Sequence, residues 1–153
     1  VSALRTLNAA LMLRGEEGGG FTTIDLLALQ RPTGAGTLYK YGAAPSYLKR
    51  GGCVTRVTGQ SLPAGLQQGA DGPESTRLSL QAGSFFVMVS DGVADETDDE
   101  WLQNLMAGWS GQSAEALASL ILSESRTRRG LRDDCAVLVL HLPKMEDSPP
   151  RQV

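Results

Sequence analysis

The sequence predicts one α+β domain built on antiparallel sheets. Its 153 residues, 41% of them hydrophobic, suit a single compact core. Short strand-like runs separated by glycine-containing turns fill the first ninety or so residues, after which the apolar period changes to the helical one before a last β-branched run. Strands alternating one by one with helices would instead have predicted a parallel, doubly wound sheet.

Ser2 to Arg14 carries Leu4, Leu7, Leu11 and Met12 at helical spacing, and Gly15 is placed to end that helix in a left-handed conformation. "EEGGG" is a turn into "FTTIDLLALQ", a strand apolar on both sides, with Ile24, Leu26 and Ala28 on one face and Leu27 and Leu29 on the other. "RPTGAG" supplies turn chemistry before "TLYKYG", so these two runs are expected to form an antiparallel hairpin, and "SYLKRGGCVTRV" a second one around Gly51 and Gly52. "SLPAGLQQGADGPES" reads as loop and "TRLSLQAG" as a half-exposed strand. Phe85 to Val89 is an unbroken apolar run, expected to be buried on both faces. Two helices follow in "DDEWLQNLMAGW" and "SAEALASLILSESRTR", the second capped by Ser113 and striped by Ala114, Leu117, Ala118 and Ile121. "CAVLVLHL" closes the domain, expected to span 1–142, as a buried strand, and 143–153 lacks the apolar content to pack and is expected to be a disordered tail.

The formal charge of -3 removes the positive field of a dedicated nucleic-acid binder. Cys53 and Cys135 lack metal-ligand spacing and read as reduced, buried thiols of a cytoplasmic setting. No apolar run approaches the roughly 18 residues of a membrane span, and no signal-like layout opens the chain.

Acidic residues sit at two comparable junctions. Asp91 ends the most buried run, and Asp133 and Asp134 precede the last one. If those strands are antiparallel neighbours, their carboxylates converge, and converging carboxylates repel unless a hard cation such as Mg²⁺ or Mn²⁺ neutralises them. Gly92 would let backbone or water approach such an ion closely. The alternative stays open at this level: Asp91-Gly92 makes a turn, and Asp133-Asp134 only starts a strand.

"FFVMVSDGV" followed by "RDDCAVLVLHL" resembles the paired C-terminal motifs of the PP2C-type (PPM) metal-dependent serine/threonine phosphatases. "FTTIDLLALQRPTGAGTLYKYGAAPSYLKRGG" with "SLPAGL" is similar to their SpoIIE branch, and the resemblance runs from Val1 to Leu142. It implies a layered α-β-β-α sandwich with antiparallel sheets. It also implies Asp91, Gly92, Asp133 and Asp134 at a site for two Mn²⁺ or Mg²⁺ ions, which activate water for attack on phosphoserine or phosphothreonine without a phosphoenzyme. Ala136 stands where the family usually has Thr. The family's first Asp-Gly-x-Gly motif is absent before Phe21, so an N-terminally truncated domain is expected, weak or inactive alone. The resemblance further implies a phosphorylated anti-sigma-factor antagonist as substrate and a membrane-anchored sporulation regulator as parent. The competing expectation is a non-catalytic interaction module with a degenerate phosphatase fold.

Arg126, Arg128, Arg129 and Arg132 lie close to Asp133, so Arg129 and Arg132 are candidates to dock phosphate; the plainer reading is cations favourable to a helix C-terminus. His141, the sole histidine, is expected to be structural, Trp101 and Trp109 core, and "DETDDE" a solvated helix start. Gly18 to Gly20 precedes a strand, not a helix, and reads as a turn, not a phosphate cradle. The stripe of Leu4, Leu7 and Leu11 is expected to lack a packing partner and to drive self-association.

Overall fold

The computed structural model describes residues 1–15, 20–66, 72–130 and 133–143. Gly18 and Gly19 of the glycine run, Arg132 and the expected tail from 144 onward lie outside the described residues. In chain order the elements are α1 (Ser2–Gly15), β1 (Ile24–Leu29), β2 (Ala35–Tyr41), β3 (Ser46–Arg50), β4 (Cys53–Val57), β5 (Glu74–Ser79), β6 (Phe85–Val89), α2 (Glu100–Gly108), α3 (Ala114–Arg129) and β7 (Val137–His141). They form a three-stranded sheet ordered β1-β2-β5 and a four-stranded sheet ordered β4-β3-β6-β7. Every pairing is antiparallel, both expected hairpins among them.

Residue alternation makes the layers. Phe85, Val87 and Val89 of β6 turn to one side, where Leu102 and Met106 of α2 and Leu117 and Ile121 of α3 meet them. Phe86 and Met88 turn to the other, against Leu38 of β2 and Leu27 and Leu29 of β1. Burying each such side chain stabilises the fold by about 1.5–3 kcal/mol, so the two faces of β6 hold it from both sides. On the far side of the three-stranded sheet α1 packs through Leu4 and Leu11 against Tyr41, Ile24 and Ala64. The result is an α-β-β-α sandwich. Ser113 caps α3 as expected, accepting from the Ala116 amide at 3.1 Å. Ser125 extends the Leu117–Ile121 stripe and is itself fully buried.

Several expectations are corrected. The α1 stripe is not free: Leu4 is buried, Asn8 is buried beside it and accepts from the Gly65 amide at 2.8 Å, and only Leu7 is turned outward. Leu4, Asn8 and Leu11 share one face at spacings of four and three, and a polar residue takes the middle of it because a backbone amide of the Ala64–Gly65 turn must be satisfied there. Cys53 is exposed at the head of β4 and Cys135 is half-buried. β1 and β7 are edge strands: Leu138 is exposed although the last run was expected to be buried, and Leu26, in a run apolar on both sides, is exposed as well. β5 starts at Glu74, inside the expected loop, where it pairs with Lys40 of β2. Trp101 and Trp109 are partly buried against the helix-side core. His141 stacks on Phe85, with ring centroids 4.1 Å apart.

Candidate metal centre

β6 and β7 pair in register from Phe85↔His141 to Val89↔Val137, so the C-terminal end of one lies beside the N-terminal end of the other. A slip of one residue would turn Val87 and Phe86 to each other's faces, and both faces are full. Past the last paired residues Ser90 continues the join. Its amide donates to Ala136 O at 3.0 Å, its hydroxyl accepts from the Ala136 amide at 2.9 Å, and that hydroxyl donates to Asp134 O at 3.1 Å.

Gly92 is there for closeness. A Cβ on it would stand 2.4 Å from Asp134 O and 3.3 Å from Asp133 Cβ. Its carbonyl accepts from Cys135 Sγ at 3.3 Å and from the buried Ser125 hydroxyl at 3.5 Å. Gly92 thus brings its missing side chain to the site, while its carbonyl also faces Ser125 of α3 and Cys135.

Asp91 and Asp133 line one cavity of about 680 Å³, together with Asp95, Asp98 and Arg129. Both are exposed, and each carboxylate accepts a local backbone bond, Asp91 from the Gly92 amide at 3.1 Å and Asp133 from the Asp134 amide at 2.8 Å. Asp134, also exposed, is not among the residues lining that cavity, and its carbonyl is held by Ser90.

Arg129, in the last turn of α3, is engaged within the protein. Its Nη1 donates to Asp91 O at 2.8 Å and its Nη2 to Asp95 Oδ2 at 2.6 Å, with Asp98 Oδ2 at 3.5 Å. Asp95 also accepts from the Thr97 hydroxyl at 2.7 Å and the Thr97 amide at 2.8 Å. The Thr97 hydroxyl and the Arg129 guanidinium hold the Asp95 carboxyl well below the usual carboxylate range. Arg128 pairs with Glu124 at 3.3 Å and lies over the Trp101 ring, 5.4 Å from its centroid; Arg126 is exposed.

A second cavity of about 580 Å³ shares Asp91 and Asp95, and its opposite wall is the Gly42–Pro45 turn with Ser61 and Arg56. Beneath this wall lies a knot that the sequence reading missed. Asp99 was expected in a solvated run, yet it is 7% exposed. Its Oδ2 accepts from Tyr47 OH at 2.9 Å and pairs with Arg56 Nε at 2.6 Å, while Oδ1 accepts from Gln103 Nε2 at 3.0 Å. Burial, then the bond to Asp99, pushes the Tyr47 phenol far above its ordinary value. Nothing in "DETDDE" distinguishes Asp99 from its neighbours. The usable signal was its place just before the helical period, at the N-cap position of α2.

The donor chemistry at the Asp91–Asp133 cavity fits a hard divalent cation, being carboxylate oxygen on exposed side chains. Among the described residues no three carboxylate, imidazole or thiol groups gather closely enough to enclose one.

Residues 1–143 match the model of the family described as Stage II sporulation protein E (SpoIIE). Stage II sporulation protein E of Bacillus subtilis (strain 168) is 31% identical over 147 residues, which are 92% of this chain and 18% of that protein. The structure of the phosphatase domain of the cell fate determinant SpoIIE from Bacillus subtilis, presoaked with Mn, has a TM-score of 0.72 at 28% identity and covers 96% of this chain, which covers 66% of that one. The catalytic domain of the serine threonine protein phosphatase PstP in complex with two manganese ions has a TM-score of 0.66 at 20% identity, over 90% of this chain and 67% of that one; at that identity the likeness is of fold. The sandwich is thus the one expected of PP2C phosphatase domains, and the chain spans about a fifth of the curated Bacillus subtilis relative and just under two thirds of the solved domain. Among the described residues no helix is long and apolar enough to cross a membrane.

Proposed function

The chain belongs to the stage II sporulation protein E (SpoIIE) family, and from that premise we propose that it forms part of a metal-dependent phosphoserine/phosphothreonine protein phosphatase domain. The observation that carries the reading is the meeting of two exposed carboxylates, Asp91 and Asp133, on one cavity at the β6–β7 junction. In this reading Asp91 and Asp133 are metal ligands, with Asp134 the neighbour that replaces Asp133 if the approach to β7 shifts by one residue. Gly92 keeps the two acidic segments close. Two Mn²⁺ or Mg²⁺ ions bound there would supply a hydroxide at neutral pH and offset charge on the phosphoryl oxygens.

The chain's own residues do the rest. Arg129 fixes the backbone of Asp91 and occupies Asp95, so it orders the ligand strand end instead of docking phosphate. The Gly42–Pro45 turn and Ser61 form the far wall of a groove in which the peptide around a phosphoserine lies. The phosphoprotein is proposed to be an anti-sigma-factor antagonist, and the parent a membrane-anchored sporulation regulator whose phosphatase domain faces the cytoplasm.

A second reading, a module that binds a partner and hydrolyses nothing, draws on the same cavity: Asp95 is already held by Arg129, and among the described residues no three carboxylate, imidazole or thiol groups gather closely enough to enclose an ion. One assay separates them. The chain, and a version extended at its N-terminus with the parent's upstream residues, are incubated with Mn²⁺ and a phosphoserine protein. The phosphatase reading expects hydrolysis by the extended protein, dependent on metal, and weak or no hydrolysis by the chain alone. No hydrolysis by either selects the interaction module.

A further inference from the structure

Asp25 and Lys40 face each other across β1 and β2, in register, on the face turned toward the other sheet. Their same-face neighbours Leu27 and Leu38 belong to the core between the sheets. An ion pair in such a seam is unexpected on energetic grounds, because an apolar pair of similar volume often stabilises as well or better. The side chains are 3% exposed for Lys40 and 14% for Asp25. Lys40 Nζ lies 2.9 Å from Asp25 Oδ2, and the Ser46 hydroxyl donates to the same oxygen at 2.7 Å. Burial pulls the Lys40 ammonium below its ordinary pKa, and the carboxylate beside it opposes that shift.

The ammonium also does what no apolar side chain could. It donates at 2.6 Å to the carbonyl of Ala44, which lies in the Gly42–Pro45 turn on the groove wall opposite Asp91. The turn is pinned at its start as well. Gly42 has φ +55, its amide donates to Ser61 O at 3.0 Å, and the Ser61 hydroxyl returns to Lys40 O at 2.8 Å. At its end Ser46 is tied to Asp25. Lys40 therefore holds the turn at its middle, Ala44, while its own backbone carbonyl anchors Ser61 beside it.

We infer that Lys40 is a positioning residue: through its bond to Ala44 O, with Asp25 as counter-ion, it sets the groove wall that receives the peptide flanking the phosphoserine. The inference rests on the phosphatase reading for its substrate, but the brace itself can be measured without turnover.

The test compares wild type, Lys40→Met and the double variant Asp25→Leu/Lys40→Met. The single variant leaves the partly buried Asp25 without its cation and is expected to melt well below wild type. The double variant is expected to regain most of that loss, because an apolar pair replaces the ionic one, and to stay below wild type by the cost of the buried Ser46 hydroxyl that loses its acceptor. In that variant the amides of Ala43, Ala44 and Ser46 are expected to exchange hydrogen about tenfold faster than in wild type, since the hold on the turn is gone although the seam is repaired. In the N-terminally extended protein with Mn²⁺ and a phosphoserine protein, the double variant is expected to raise KM about tenfold with kcat within about twofold. Wild-type exchange at these amides in the folded double variant overturns the brace, and faster exchange with an unchanged KM overturns its role toward substrate. If wild type hydrolyses nothing, the phosphatase reading and the substrate role fail together, while the exchange rates still decide the brace.

Discussion

Gly92→Ala is expected to open the β6–β7 junction at the candidate metal centre. The added Cβ would stand 2.4 Å from Asp134 O, so that carbonyl must retreat by about 0.6 Å to reach the 3.0 Å limit and by about 1 Å to reach 3.4 Å, an ordinary contact. The carbonyl cannot retreat alone, because Ser90 holds it at 3.1 Å and holds the Ala136 amide, two residues on, at 2.9 Å. Overpacking costs about 1–3 kcal/mol, and losing the Ser90 bond about 1 kcal/mol more. A net loss of about 2–4 kcal/mol corresponds, in a chain of this size, to a fall in Tm of roughly 4–16 °C. The same retreat carries Asp133 away from Asp91, and a ligand pair separated by about 1 Å more is expected to lose on the order of tenfold or more in Mn²⁺ affinity. Thermal unfolding followed by circular dichroism, with calorimetric titration of Mn²⁺ well below Tm, reads both quantities. If the variant melts within about 1 °C of wild type, the close approach of Asp134 is not a constraint; if it melts lower but binds Mn²⁺ as wild type does, Gly92 does not set the spacing of Asp91 and Asp133.

Asp91→Asn and Asp133→Asn are each expected to abolish measurable Mn²⁺ binding while changing stability by no more than about 0.5 kcal/mol, both side chains being exposed; the same loss in Asp134→Asn with Asp133→Asn silent would move the assignment by one residue. Tyr47→Phe removes the hydroxyl that donates to the buried Asp99 and is expected to cost about 1.5–3 kcal/mol in urea unfolding, with no change in m-value; a smaller loss would mean that Arg56 and Gln103 satisfy Asp99 unaided. Asp95 has a folded-state pKa depressed below its unfolded value, by the Thr97 hydroxyl first and Arg129 second, so it contributes stability present above the unfolded value near pH 4 and lost as pH falls through the folded one. Asp95→Asn is accordingly expected to lower Tm at pH 7 and to converge with wild type on acidification below about pH 4, the gap shrinking with added salt because Asp95 is partly exposed; a gap that is constant with pH would show that the carboxylate charge is not what holds Arg129.

The architecture was legible where one period dominated. Phe85–Val89 declared itself by an unbroken apolar run, whereas its antiparallel pairing with the last strand was only the condition under which the two acidic junctions would meet, and the register supplies it. Burial at the edges was not legible: Leu26 and Leu138 have core composition, and only the strand order, with β1 and β7 outermost, explains their exposure. The charged residues divide in the same way. Asp91 and Asp133 could be placed because one follows the end of a buried run and the other precedes the start of the last run, so that once the two strands pair their positions in the fold follow. Asp99, Lys40 and Asp25 could not, since each is paired with a partner distant in sequence: Tyr47 is 52 residues from Asp99, and Asp25 is 15 from Lys40. For Lys40 a partial signal existed. A lysine on the inward phase of "TLYKY", two residues after the core residue Leu38, must either reach solvent or find an acceptor, and the hairpin register leaves Asp25 directly opposite. A charge on the inward phase of a strand therefore points, by its place in the alternation alone, to a partner across the hairpin. What the pairing register cannot supply is the third contact, the reach of that ammonium to Ala44 O, because it depends on a turn gathered by Pro63 and Ser61 twenty residues further along the chain.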